Sequence, residues 1–258
     1  MMQTFRLNDV LRCILLNAPK GPNLACPGEG LTGAKPLGNT TLWKEILARR
    51  RDRVTVAQWE GLRLGALASA RVRGGHRAWE IDRLFLAGGS GWLSANGQGQ
   101  RMVPSAAAPE LFERAVQAAG EMRAERLFLR VPSKSPIVVL ARQAGFFPYF
   151  EETLLEGRAG LSRGNRPTAP FVWQELSPED HYPLFQLYCA ATPQPVRVGV
   201  GLTFEQWRDA QETRRRRRVW VAKTHGRVIG SLGISKRGLV TGVEVLAQPN
   251  DPELWEAL

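Results

Sequence analysis

Residues 110–156, ELFERAVQAAGEMRAERLFLRVPSKSPIVVLARQAGFFPYFEETLLEG, constrain the fold most, because they read as helix, strand, helix, strand in close succession. Over 110–122, Leu111, Phe112, Ala115, Val116 and Ala119 recur at the 3.6-residue spacing of one buried stripe. Arg126 to Val131 reads as a short apolar strand ended by Pro132. Ser135 and Pro136 open the next helix, a hydroxyl to cap and a ring that suits the first turn. That helix, 136–144, stops at Gly145, a residue free to take the left-handed cap. Phe146 to Leu155 reads as a second strand.

Upstream, residues 4–16 begin as a strand and pass into a helical piece, and 17–40 form a long loop rich in Gly and Pro. Loops of that length are often functional lids or simply mobile. A helix over 42–51, capped by Thr40 or Thr41, precedes strands at 53–59 and 62–72, joined by a Glu60-Gly61 turn. A third strand spans 77–86, and a glycine-rich segment occupies 87–108.

Residues 157–170 read as a linker, and residues 171–258 repeat part of the first domain. RVTVAQWEGLRLGAL (53–67) aligns with RVWVAKTHGRVIGSL (218–232) with seven of fifteen positions identical, among them Gly61/Gly226 and Gly65/Gly230. A helix ending in arginines precedes each hairpin, at 49–51 and at 214–218, and Glu80 pairs with Glu244 in the third strands. A match that includes helix, hairpin and third strand argues duplication. The second copy ends with a short helix begun by Asp251 and Pro252, and nothing corresponds to 123–156. Its third strand therefore has an open edge. It leans on the first domain, pairs with another chain in a homodimer, or belongs to a fragment.

The hydrophobic fraction of 43% supports a packed core and excludes wholesale disorder. The net charge of +11 is uneven: residues 1–165 hold 23 Lys and Arg against 14 Asp and Glu, residues 166–258 hold 12 against 10. A basic first half could attract a phosphate-rich ligand or nucleic acid, but a solvated arginine-rich surface is the plainer account. The Arg214–Arg218 run has only Trp220 as a nearby aromatic, so a nucleic-acid partner is not expected. Three cysteines, at 13, 26 and 189, give no disulfide framework and fit a reducing cytoplasm. No signal peptide is evident, and no apolar run nears the ~20 residues that span a bilayer. His76, His181 and His225 lie in separate segments without metal-ligand spacing.

Hairpin, third strand, helix, strand, helix ending in Gly-Phe, strand: this order, with LARQAGFFPYFEETLL as its most telling piece, resembles the GNAT N-acetyltransferase superfamily. The resemblance covers 1–156 as a GNAT-like acyltransferase domain and 171–258 as a partial second one. It implies an α/β (α+β) fold, a mixed, mostly antiparallel sheet flanked by helices. It also implies transfer of an acetyl group from acetyl-coenzyme A (acetyl-CoA) to a small-molecule or protein amine by direct attack. The cofactor's pantetheine arm would lie where strands 77–86 and 126–131 diverge. Backbone groups of Leu84, Phe85, Leu86 and Gly88 would hold the thioester, Ser133 would contact pantetheine, and the N-terminus of helix 110–122 would hold the pyrophosphate.

Two positions depart from that pattern. The nearest match to the phosphate loop, SANGQG (94–99), has Ser94 where a cation or amide belongs, and Pro104 and Pro109 separate it from the helix. The tyrosine that protonates the leaving thiolate is replaced by Ala141, which leaves Tyr149 as the substitute if geometry allows. Glu80 is the candidate general base; its alternative role is cross-strand partner of Arg71 or Arg73. Asp82 shares its strand face and could couple to it or sit near Arg83 and Arg101. The expected function is an acyl-CoA-dependent N-acetyltransferase; the alternative is a degenerate, non-catalytic GNAT-like scaffold that binds a ligand or a protein.

Overall fold

The structure is a computed structural model that describes residues 2–4, 23–26, 52–61, 63–73, 77–87, 107–153, 155, 157–158, 171–212, 217–237 and 240–248. The chain divides into two compact units, Met1–Pro148 and Tyr149–Leu258.

The first unit is built on a five-stranded sheet in the order β1 (Met2–Thr4), β2 (Arg53–Glu60), β3 (Arg63–Val72), β4 (Ala78–Leu86), β5 (Arg126–Leu129). The first four strands are antiparallel, and β5 runs parallel to β4. A parallel neighbour needs a crossover, and α1 (Ala107–Glu121) supplies it. Along α1, Ala108, Leu111, Phe112, Ala115, Ala118 and Ala119 are buried, at helical spacing. Most of them join Val56, Ala66, Ala68, Ala70, Trp79, Ile81, Leu84 and Leu86 from the sheet in a single core. Val116, read from the sequence as part of the stripe, is 43% exposed.

The second helix of this unit, α2 (Ile137–Gln143), starts where Ser135 Oγ accepts the Ile137 N–H at 3.3 Å. It ends in a left-handed turn at Gly145, φ +85°. There the Phe146 N–H donates to Ala141 O and the Gly145 N–H to Arg142 O, both at 3.0 Å, the Schellman arrangement. The strand expected from Phe146 to Leu155 does not form: residues 146–153 carry no regular structure, and Phe147 and Leu155 are exposed. Pro148 removes a ladder donor from that stretch. In the hairpin, Glu60 pairs with Arg63, so it belongs to β2 and not to the turn.

The second unit carries a four-stranded antiparallel sheet: β6 (Val172–Glu175), β7 (Arg217–Thr224), β8 (Arg227–Arg237) and β9 (Val240–Ala247). Helices α3 (His181–Ala191), α4 (Gln194–Val200) and α5 (Phe204–Glu212) separate β6 from β7. Leu184, Leu187 and Trp207 pack with Val221 and Val228, and Phe185, Tyr188 and Phe204 join them. Arg217 and Arg218, read as a helix end, open β7 instead. Among the described residues β9 has no strand on its outer side, and Val243 and Val245 are exposed. The helices expected at 42–51 and from Asp251 lie outside the described residues.

Asp180 fixes the entry to α3. Its Oδ2 accepts from Ser177 N at 3.1 Å and Ser177 Oγ at 2.7 Å, and its Oδ1 pairs with Lys223 of β7. Burial by itself would raise its pKa, but the Lys223 and Ser177 contacts together hold it below the ordinary aspartate value. Its stabilising contribution is therefore complete above the unfolded pKa and disappears as pH falls through the lower folded value. Asp180→Asn is predicted to cost about 1.5–3 kcal/mol at pH 7. The difference from wild type should shrink on acidification below about pH 4, read by urea denaturation across that range.

Candidate functional site

The resemblance read from the sequence expects a ligand where β4 and β5 diverge. The strands pair only from Ala78↔Arg126 to Ile81↔Leu129. The register of β4 against β3 shifts at the next residue, since Ala70 faces Ile81 and Ser69 faces Arg83, leaving Asp82 as the extra residue of a bulge. A bulge bends its strand and sharpens the twist, and β4 runs on to Leu86 without β5 beside it.

The chain fills that divergence itself. The Leu24 N–H donates to Leu84 O at 2.8 Å, and the Leu84 N–H donates to Asn23 Oδ1 at 2.8 Å. Asn23 Nδ2 donates to Asp82 O at 2.8 Å, and the Cys26 N–H reaches Arg130 O, just beyond β5, at 2.8 Å. Residues 23–26 thus bridge the two strands where these no longer pair each other. Leu24 (3% exposed) and Ala25 (0%) belong to the same core cluster as Leu84, Phe112, Ile137 and Ala141. Each hydrogen bond is worth about 0.5–1.5 kcal/mol net, and burial of the Leu24 side chain about 1.5–3 kcal/mol. Both main-chain groups of Leu84 are already bonded within the chain, so neither is free to bond a pantetheine arm.

The sequence-derived candidates separate accordingly. Leu84 lines the divergence. Phe85 and Leu86 are buried and lie opposite Leu67 and Ala66 of β3. Ser133 is an exposed turn residue. Gly88 and the 94–99 segment lie outside the described residues. Tyr149 belongs to the second unit, where a Cβ at Gly199 of α4 would lie 3.2 Å from its ring.

Glu80 is buried (4% exposed) and shares its strand face with a cluster of charges. Its carboxylate lies 3.8 Å from Arg71 Nη2, which is the cross-strand pairing weighed against a catalytic role. Asp82 takes Arg53 as a fork: Nη1 donates to Oδ1 and Nη2 to Oδ2, each at 2.8 Å, and Arg71 Nε stands 3.4 Å from Oδ2. Ser69 Oγ accepts from Arg53 Nη1 and from Thr55 Oγ1, both at 2.9 Å. Two carboxylates are thus balanced by two guanidiniums in a partly dry site.

The second unit repeats the Arg53–Asp82 pair, which reaches across an intervening strand. Arg217 crosses β8 to reach Glu244 of β9 at 2.8 Å. It passes over Gly233, where a Cβ would collide with its guanidinium. Gly233 holds the place of Ser69, since it pairs with Val219, two residues after Arg217, as Ser69 pairs with Thr55, two after Arg53. By register Arg53 matches Arg217, not Arg218, and Glu80, opposite Arg71, matches Gly242, opposite Ser235. By its ion pair with that arginine, Asp82 is the residue that plays the part of Glu244, although Arg83 is the one that faces Ser69. No group of three or more His, Cys, Asp or Glu residues able to hold a metal occurs among the described residues.

Sequence reasoning missed the 23–26 segment. Its only local signal is an apolar pair, Leu24-Ala25, bracketed by Pro22 and Pro27 within a glycine-rich loop.

Removing Arg53 leaves two buried carboxylates, Glu80 and Asp82, to the single guanidinium of Arg71. Arg53→Ala is predicted to destabilise the first unit by about 3–5 kcal/mol, and a paired Arg53→Met, Asp82→Leu replacement to recover most of that loss. Chemical denaturation of the two variants checks both; a loss under about 1 kcal/mol for Arg53→Ala would contradict the assignment.

No family model matches the sequence, and no curated protein does. Among solved structures, the chain is similar to a tandem GNAT protein from the clavulanic acid biosynthesis pathway, at 15% identity and TM-score 0.45, over 100% of this chain and 82% of that one. It is also similar to glucosamine-6-phosphate N-acetyltransferase from Arabidopsis thaliana, at 11% identity and TM-score 0.34, over 63% of this chain and 98% of that one. No helix among the described residues is long and apolar enough to cross a membrane. The first unit, a mostly antiparallel sheet with one parallel strand added across a helix, has the order of elements that the resemblance read from the sequence implies.

Proposed function

We propose that this chain is a GNAT-like scaffold that binds a ligand or a protein and does not catalyse acyl transfer in the arrangement described. The observation that carries this reading is the filled divergence: Leu84, the residue on which an acyl donor would depend, is bonded through both main-chain groups to Asn23 and Leu24. The residue set agrees with it. Glu80 is engaged by Arg71, position 141 holds alanine, and Tyr149 packs at Gly199. A general base must reach the proton it removes, and a buried carboxylate held by a guanidinium is poorly placed for an incoming amine.

The second reading is an N-acetyltransferase that moves an acetyl group from acetyl-CoA to a small-molecule or protein amine. It draws on one observation, the place of Glu80 on β4 beside the last residue paired with β5. Release of free thiol from acetyl-CoA in the presence of a broad panel of amines separates the two. The scaffold reading predicts a rate equal to the protein-free background for wild type and for Glu80→Gln alike. Amine-dependent turnover above background that is lost in Glu80→Gln would replace it with the transferase.

A further inference from the structure

We infer that Asn23–Cys26 is an autoinhibitory strap, a piece of the chain that takes the place of a ligand's arm and keeps the first unit latent. The inference goes beyond the scaffold reading: it assigns the divergence a retained binding capacity and names what blocks it. The slot offers one donor, Leu84 N–H, and three acceptors, the carbonyls of Asp82, Leu84 and Arg130. The strap answers them with amide groups. The Asn23 carboxamide serves Asp82 O and Leu84 N–H at once, a side chain doing what a backbone amide does, and the N–H groups of Leu24 and Cys26 serve the other two. A site satisfied by a carboxamide and two peptide N–H groups is selective for amides at intervals, not for one peptide sequence.

Between its polar ends the strap buries Leu24 and Ala25, so the slot also takes an apolar middle. The matching ligand class is a slender linear arm with amides at both ends of an apolar stretch, as in pantetheine. Among the described residues the strap is held by four hydrogen bonds and by burial of Leu24 and Ala25. An arm that competes for the slot binds with its affinity divided down by the small fraction of open molecules.

The test uses the full chain with pantetheine as the probe, in calorimetry and thermal unfolding. Wild type is expected to give no heat and no shift of Tm at millimolar pantetheine. Asn23→Ala and Leu24→Gly are expected to unfold several degrees lower, to bind pantetheine at least tenfold more tightly than wild type, and to regain part of the lost Tm on binding. A strap variant that keeps the wild-type far-ultraviolet spectrum yet binds pantetheine no better would overturn the inference, as would wild-type binding as tight as the variants'. Nuclear Overhauser contacts in the wild-type protein keep the question open to refutation even if both variants fail to fold. The inference requires contacts between the amide protons of Leu24 and Leu84, and their absence overturns it. Turnover enters none of these readouts, so a failure here is distinct from a failure of the scaffold reading.

Discussion

Everything in the first unit turns on the point where β4 leaves β5. Up to Ile81 the two strands satisfy each other, and after Asp82 they do not. A buried strand cannot leave its main-chain groups unpaired without a cost of about 1–3 kcal/mol for each group left. The groups at Leu84 and Arg130 must therefore be met by something, and residues 23–26 meet them. The bulge that creates the need also turns Asp82 toward Arg53, so the opening of the sheet and its charge cluster are two consequences of one extra residue.

The charge cluster has its own logic. Arg53 reaches across a whole strand to Asp82, and Arg217 does the same to Glu244, over a small residue in each unit. Ser69 adds a hydrogen bond beneath its arginine, whereas Gly233 only makes room. A pair that recurs in both sheets is more simply a device for tying three strands together than a piece of catalytic machinery. That weighs on Glu80 too, which shares Arg71 with Asp82. Buried charges compensated this way need not add net stability over apolar replacements; they do fix register, since a slip by one residue would leave an unpaired charge in the core.

Much of the architecture is legible in the sequence because it rests on local pattern. The apolar runs of 53–59 and 77–86, the 3.6-residue stripe of 110–122 and the Gly145 stop each follow from the neighbours in the chain. The alignment of 53–67 with 218–232 sits one residue away from the strand pairing, which sets Arg53 against Arg217. The features that are not legible depend on partners distant in sequence. The stretch 146–155 has apolar residues enough for a strand, but among the described residues no strand edge takes it up. The bulge at Asp82 is invisible in spacing, and so is the register that sets Glu80 opposite Arg71 but Gly242 opposite Ser235. The strap is four residues in a loop, and only the divergence of β4 and β5 gives them something to bond to.

The Leu84 amide is bonded within the chain, and residue-resolved hydrogen exchange of that amide is the decisive measurement. Exchange slowed to the level of Ile81, whose strand is paired on both sides, is expected. Exchange at the rate of an unstructured peptide, with Ile81 still protected, would mean that the slot stands open and that residues 23–26 do not fill it.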